Sequence, residues 1–156
     1  MKTQLLKMKV NGEYVEIMVR PDARLIDVLH DLGYLSVKEG CSTGECGACT
    51  VIMDGRTRLS CITFAMQANG REIITVEGLS KDGLHPIQEA FIEKGAVQCG
   101  YCIPGFILSA KYLLDRTPKP TREEIKEAIS GNLCRCTGYQ KIIDAIEAAA
   151  EKLRGE

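Results

Sequence analysis

The sequence predicts an α+β protein in two parts, a strand-rich first half with one helix and a helical second half folded as a four-helix bundle. Three observations carry this reading. Residues before about 80 form strand-like runs broken by Asn-Gly and Asp-Gly turns. Residues after about 86 place apolar side chains at helical spacing behind Pro and Thr start signals. Between them, Gly78-Leu-Ser-Lys-Asp-Gly83 has loop chemistry and no periodicity. Residues 1–79 and 87–156 are therefore read as two domains joined by a linker at 80–86.

The elements follow in order. Leu5–Val10 and Tyr14–Val19 alternate like strands around Asn11-Gly12, a hairpin signal. Leu25, Val28, Leu29 and Leu32 fall at i, i+3, i+4 and i+7 before Gly33, which marks a short amphipathic helix. Thr50–Met53, Asp54-Gly55 and Arg56–Leu59 read as strand, turn and strand, and Ile73–Val76 as a last strand. Pro86 opens a helix that Gly95 ends, and Pro104 opens another carrying Phe106, Ile107, Ala110, Leu113 and Leu114. Thr121-Arg-Glu-Glu124 is a capping box, and a final helix from about Tyr139 buries Ile142, Ile143, Ile146, Ala149, Ala150 and Leu153. Four such helices suggest a bundle.

Composition excludes several function classes. The 156 residues carry 20 basic and 21 acidic side chains, a net charge of −1. Residues 1–79 hold 9 basic and 10 acidic groups, and residues 80–156 hold 11 and 11. No basic stripe invites nucleic acid. No apolar run reaches the roughly 18 residues of a membrane span. The opening MKTQLLKMKVNGEYVEI alternates and lacks the apolar stretch of a signal peptide, which predicts a cytoplasmic protein.

Against this background stand eight cysteines: Cys41, Cys46, Cys49, Cys61, Cys99, Cys102, Cys134 and Cys136. A reducing compartment argues against four disulfides, and a bridge between Cys134 and Cys136 would be strained. Metal is the better reading. Cys41-x4-Cys46-x2-Cys49, with Cys61 after it, has the spacing of plant-type ferredoxins, which hold a 2Fe-2S cluster. Gly40, Gly44 and Gly47 beside these ligands suit a loop wrapped closely round an anionic cluster. A structural zinc site or buried free thiols are the bland alternatives.

The second set, Cys99-x2-Cys102 and Cys134-x1-Cys136, is ambiguous on spacing alone. A second iron–sulfur cluster, a zinc site and a dithiol redox pair all remain open. Haem attachment fails because Ile103 follows Cys102, and a Rieske centre fails because His30 and His85 lie outside both motifs. Both cysteine pairs precede a predicted helix, whose N-terminus favours negative charge.

Three stretches carry a family resemblance: Gly40-Cys-Ser-Thr-Gly-Glu-Cys-Gly-Ala-Cys-Thr50, Gln98-Cys-Gly-Tyr-Cys-Ile-Pro-Gly105 and Gly131-Asn-Leu-Cys-Arg-Cys-Thr-Gly-Tyr139. In this order they resemble the signatures of the iron–sulfur subunit of molybdenum hydroxylases, the xanthine dehydrogenase, aldehyde oxidoreductase and carbon monoxide dehydrogenase family. The likeness covers essentially the whole chain. Its one departure is minor: Ile103 stands where many relatives have Thr.

The resemblance implies an N-terminal ferredoxin-like β-grasp domain and a C-terminal four-helix bundle, each with one 2Fe-2S cluster. It implies a large molybdopterin-binding partner, a medium FAD-binding partner and a dimer of heterotrimers. Electrons would pass from molybdenum through this subunit to flavin. It further implies that Cys136 and Gln98 meet the pterin. No catalytic constellation is recognisable in the chain itself, so it is read as an electron-transfer subunit without substrate chemistry. The substrate is not legible, with a purine favoured over nicotinate, aldehydes, aromatic acyl thioesters or carbon monoxide. A free-standing ferredoxin-like carrier and a zinc-stabilised interaction module are the rivals from other classes.

Overall fold

The computed structural model describes residues 2–156. Strands β1 (Gln4–Val10) and β2 (Glu13–Val19) form the expected antiparallel hairpin, in register from Gln4 opposite Val19 to Val10 opposite Glu13. Asn11 at φ 51° and Gly12 at φ 87° supply the two left-handed residues that this tight turn requires. Helix α1 (Leu25–Asp31) follows, then β3 (Thr50–Met53), β4 (Arg56–Leu59) and β5 (Glu72–Ile74). The last strand is shorter than expected, because Thr75 turns into a 3₁₀ segment at Val76–Ser80.

The five strands form one mixed sheet in the order β2-β1-β5-β3-β4, with β5 parallel to β1 and antiparallel to β3. Leu6, Met8, Val10, Val51 and Ile73 from the sheet share a core with Leu25, Ile26, Val28 and Leu29 of α1. Cys49 and Cys61 sit in that same core, so the sheet fixes where two of the thiols lie.

The second half contains α2 (Pro86–Glu93), α3 (Ile103–Leu114), α4 (Arg122–Ala128) and α5 (Gln140–Arg154). The start signals work as read: Pro86 lies in the first turn of α2, and Thr121 Oγ1 accepts the Glu124 N–H at the head of α4. Ile87, Phe91, Phe106, Ile125, Ile142 and Ile146 make a second core, against which Val76 and Leu79 also pack.

The expected pairing of a β-grasp domain with a C-terminal four-helix bundle is corrected here. The structure is a mixed five-stranded sheet with five helices, and the last four do not form a bundle. Helices α2 and α4 have 8 and 7 residues, about two turns each, against 15 in α5, so four long facing stripes do not exist. Helix α3 lies against β3 and β4 as well as its helical neighbours. It is buried nearly all round, from Ile103 through Ala110. An apolar helix face reads the same in sequence whether a helix or a sheet covers it, which is why the periodicity misled.

Among the described residues no helix is long and apolar enough to cross a membrane.

Candidate metal centres

All eight cysteines are free thiols. They gather into two sets on the two sides of the contact between sheet and helices. The first lies on the loop from Gly40 to Cys49 and on the 3₁₀ turn Ser60–Ile62. Cys49 and Cys61 are buried and their thiols are neighbours. Burial, reinforced by this neighbour, pushes the Cys61 thiol up to about 11. Cys41 has the opposite environment. The Thr43 hydroxyl and the backbone N–H groups of Thr43, Cys46 and Glu45 hold its pKa at about 5. Those N–H groups lie 3.4, 3.4 and 3.2 Å from Sγ respectively. A nest of donors converging on sulfur is built for a charged thiolate.

The glycines of this loop are there for room. A Cβ at Gly40 would stand 2.7 Å from Cys46 Sγ. Gly47, at φ 73°, has Gly131 O and Asn132 packed where its side chain would be.

The second set flanks two helix N-termini. Cys102 is the N-cap of α3, and Cys134 and Cys136 stand on the turn before α5. Here too the thiols come in pairs, Cys102 with Cys134 and Cys136 with Cys99. The inner pair is half-buried and the outer pair exposed. Burial and the Cys134 thiol push Cys102 up to about 12. Burial also opposes ionisation of Cys134, yet donors from Thr137 and the Cys136 N–H bring its pKa below the usual thiol value.

Among the described residues no three His, Cys, Asp or Glu side chains converge on a single-ion site. Six of the thiols instead neighbour one another in pairs, Cys49 with Cys61, Cys102 with Cys134 and Cys99 with Cys136, and Cys41 Sγ takes the Cys46 backbone N–H. A 2Fe-2S cluster is held by two thiolates at each iron, so paired thiols, sulfur-directed N–H groups and glycine clearance fit that group. His30 and His85 stand apart: one meets the Val37 carbonyl, and the other accepts the Ile87 N–H at 3.2 Å to cap α2. Gln98 is exposed on the loop between α2 and α3, next to the exposed Cys99.

Several site residues escaped the sequence reading. Asn132 is 4% exposed, and its Nδ2 donates to Gly47 O at 3.1 Å while Oδ1 accepts the Ser109 hydroxyl at 2.7 Å. Leu133 N–H donates to Cys46 O at 2.9 Å. Gly105 brings α3 so close that a Cβ would run into Gly47 O. Tyr139 adopts a left-handed backbone, φ 69°, and its hydroxyl accepts the Cys134 N–H at 2.9 Å. Only the small residues in the three motifs hinted at such close approaches.

Comparison with known proteins decides the family. Residues 7–92 match the model described as a 2Fe-2S iron-sulfur cluster binding domain, and residues 75–147 match a [2Fe-2S] binding domain. The chain is 54% identical over 149 residues to the nicotinate dehydrogenase small FeS subunit of Eubacterium barkeri, covering 94% of this chain and 95% of that protein. The chain belongs to the family of 2Fe-2S iron–sulfur subunits of molybdenum hydroxylases. This iron–sulfur subunit is also 44% identical to the xanthine dehydrogenase iron-sulfur-binding subunit of Escherichia coli O157:H7, over 93% of each chain. It superposes on a chain of quinoline 2-oxidoreductase from Pseudomonas putida 86 with a TM-score of 0.95 at 42% identity, covering 99% and 98% of the two chains. Against aldehyde oxidoreductase from Desulfovibrio desulfuricans the TM-score is 0.93 at 46% identity, and there the subunit corresponds to 18% of a longer chain.

Proposed function

We propose that this subunit carries electrons within a molybdopterin-dependent hydroxylase, from the molybdenum site of a large partner to FAD in a medium one. The observation that carries this is the gathering of eight thiols into two sets, six of them in neighbouring pairs, on loops tied together by the hydrogen bonds from Leu133 N–H to Cys46 O and from Asn132 Nδ2 to Gly47 O. Cys41, Cys46, Cys49 and Cys61 hold one 2Fe-2S cluster, and Cys99, Cys102, Cys134 and Cys136 hold the other. Such clusters, when bound, accept and release single electrons.

The chain's own residues perform three tasks. The Cys41 nest and the Thr137 donors keep negative charge on sulfur affordable in a partly buried site. The buried Cys61 thiol and the half-buried Cys102 thiol give up protons when iron binds. The exposed face of Cys99, Cys136 and Gln98 is free to meet the pterin, where the Gln98 amide offers both donors and an acceptor. Residues 1–79 and 87–156 are then the two cluster-bearing units, joined at 80–86.

The complex works in the cytoplasm as a dimer of heterotrimers and oxidises an N-heteroaromatic ring. Similarity supports that ring class: 54% identity to a nicotinate dehydrogenase subunit, 49% to a nicotine 6-hydroxylase small subunit and 44% to a xanthine dehydrogenase subunit. Pyridine carboxylates and purines are the substrates to try first.

The test is purification from native cells followed by anaerobic addition of these heterocycles. The subunit should co-purify with two larger chains, and its visible absorbance should bleach on substrate addition only in the complex. Isolation of the chain alone as a free carrier, or substrate oxidation by the molybdenum-free chain, would overturn the reading.

A further inference from the structure

We propose that the Thr137 hydroxyl sets the redox potential of the C-terminal cluster by donating a hydrogen bond to Cys134 Sγ. This rests on Cys134 being a ligand of that cluster. Thr137 Oγ1 lies 3.1 Å from Cys134 Sγ, and the Thr137 backbone N–H lies 3.4 Å from the same atom. The direction of the hydroxyl proton follows from its other partner. Tyr139 N–H donates to Thr137 Oγ1 at 3.3 Å, occupying a lone pair. A hydroxyl has one proton to give, and a thiolate sulfur can only accept it.

The turn is held in this geometry from both ends. Tyr139 keeps a left-handed backbone at φ 69°, a conformation that disfavours a bulky side chain. Its hydroxyl takes the Cys134 N–H at 2.9 Å, and its ring meets Phe106 edge-on at 6.2 Å. The strained residue thus grips the peptide of the ligand while its own N–H aims the Thr137 hydroxyl. An O–H dipole pointed at sulfur stabilises the added negative charge of the reduced state more than the oxidised state, which raises the potential. The site is half-buried, so water does not screen the dipole fully.

Thr137 is therefore a positioning and tuning residue that a side-chain change can remove, unlike the backbone donors around Cys41. The experiment is an EPR-monitored redox titration of the intact complex carrying Thr137→Val or Thr137→Ser. In Thr137→Val the midpoint of the C-terminal signal should fall while the N-terminal signal, the internal reference, stays in place. The ratio of electrons held by the two clusters should move about fivefold toward the N-terminal one, as expected for one net hydrogen bond. Thr137→Ser should restore the wild-type ratio. An unchanged potential in Thr137→Val, or an equal shift in Thr137→Ser, overturns the proposal.

Should Thr137→Val fail to retain its cluster, wild-type protein still decides. After brief exposure to D2O, a rapidly exchanging hydroxyl deuteron should couple to the reduced C-terminal cluster in ENDOR spectra, and its absence overturns the proposal. A wild-type complex with a single cluster signal would instead sink the ligand assignment.

Discussion

Leu133 donates its backbone N–H to the Cys46 carbonyl at 2.9 Å, so a residue adjoining one thiol pair is bonded directly to a cysteine of the other set. Asn132 reinforces the junction from inside. Its amide spans Gly47 O and the Ser109 hydroxyl, both in buried surroundings. The two cysteine loops are thus bonded to each other at the contact between sheet and helices, beside the packing of α3 on β3 and β4.

Asn132→Ala should therefore loosen both loops at once. It removes the one donor that reaches Gly47 O from the other loop, leaving those from Thr50, and takes the acceptor from the buried Ser109 hydroxyl, which together cost about 2–3 kcal/mol. Thermal unfolding of the purified protein should drop by about 5–10 °C. A variant melting with the wild type would show that the junction carries no stability.

Gln98→Ala tests the exposed end of the C-terminal set. Cluster content should be unchanged, because Gln98 is exposed and offers no sulfur. Reduction by substrate in the intact complex should slow at least several-fold, while dithionite reduces both clusters normally. Equal substrate reduction in stopped-flow traces of variant and wild type would remove Gln98 from the route.

His85 makes stability depend on pH. Its Nδ1 accepts the Ile87 N–H at 3.2 Å, which only the neutral ring can do. Burial first, then the neighbouring Lys111 charge, lower its pKa, with Asp115 and Glu89 opposing. A folded pKa below the unfolded value near 6.5 means the unfolded chain binds the proton more tightly. The contribution of His85 is then complete above about pH 6.5 and is lost as pH falls through the lower folded value. Chemical denaturation between pH 5 and 8 should show this loss, and His85→Asn, which caps without titrating, should flatten it. A parallel slope in both proteins would exclude His85 as its source.

The sequence carried the local signals well and the long-range ones poorly. Asn11-Gly12, Pro86 and the Thr121 capping box act at the positions read, because each depends on neighbours within a few residues. The eight cysteines were legible because Cys41-x4-Cys46-x2-Cys49 and the two later short pairs are spacings with few bland explanations. Which thiol faces which was not, since the pairs Cys102–Cys134 and Cys99–Cys136 depend on how α3 and α5 pack. The bundle expectation failed on the same account: nothing in the apolar face of α3 says that β3 covers it. Asn132 and Tyr139 act through backbone partners elsewhere in the chain, and a partner leaves no mark in a residue's own spacing.

Each cysteine set should lose its metal independently. Cys46→Ser should abolish or alter only the N-terminal signal, and Cys134→Ser only the C-terminal one, because each set closes within its own cores. EPR spectra of the two reduced variants check this, and loss of both signals from either change would show the ligands wrongly divided.

The central claim, two 2Fe-2S clusters on eight thiolates, is tested most directly by counting metal and sulfide in the fully loaded subunit. The account predicts four iron atoms and four acid-labile sulfides per chain, with little zinc, and two distinct EPR signals on reduction. Two iron atoms per chain, or zinc in place of the second pair, would contradict it.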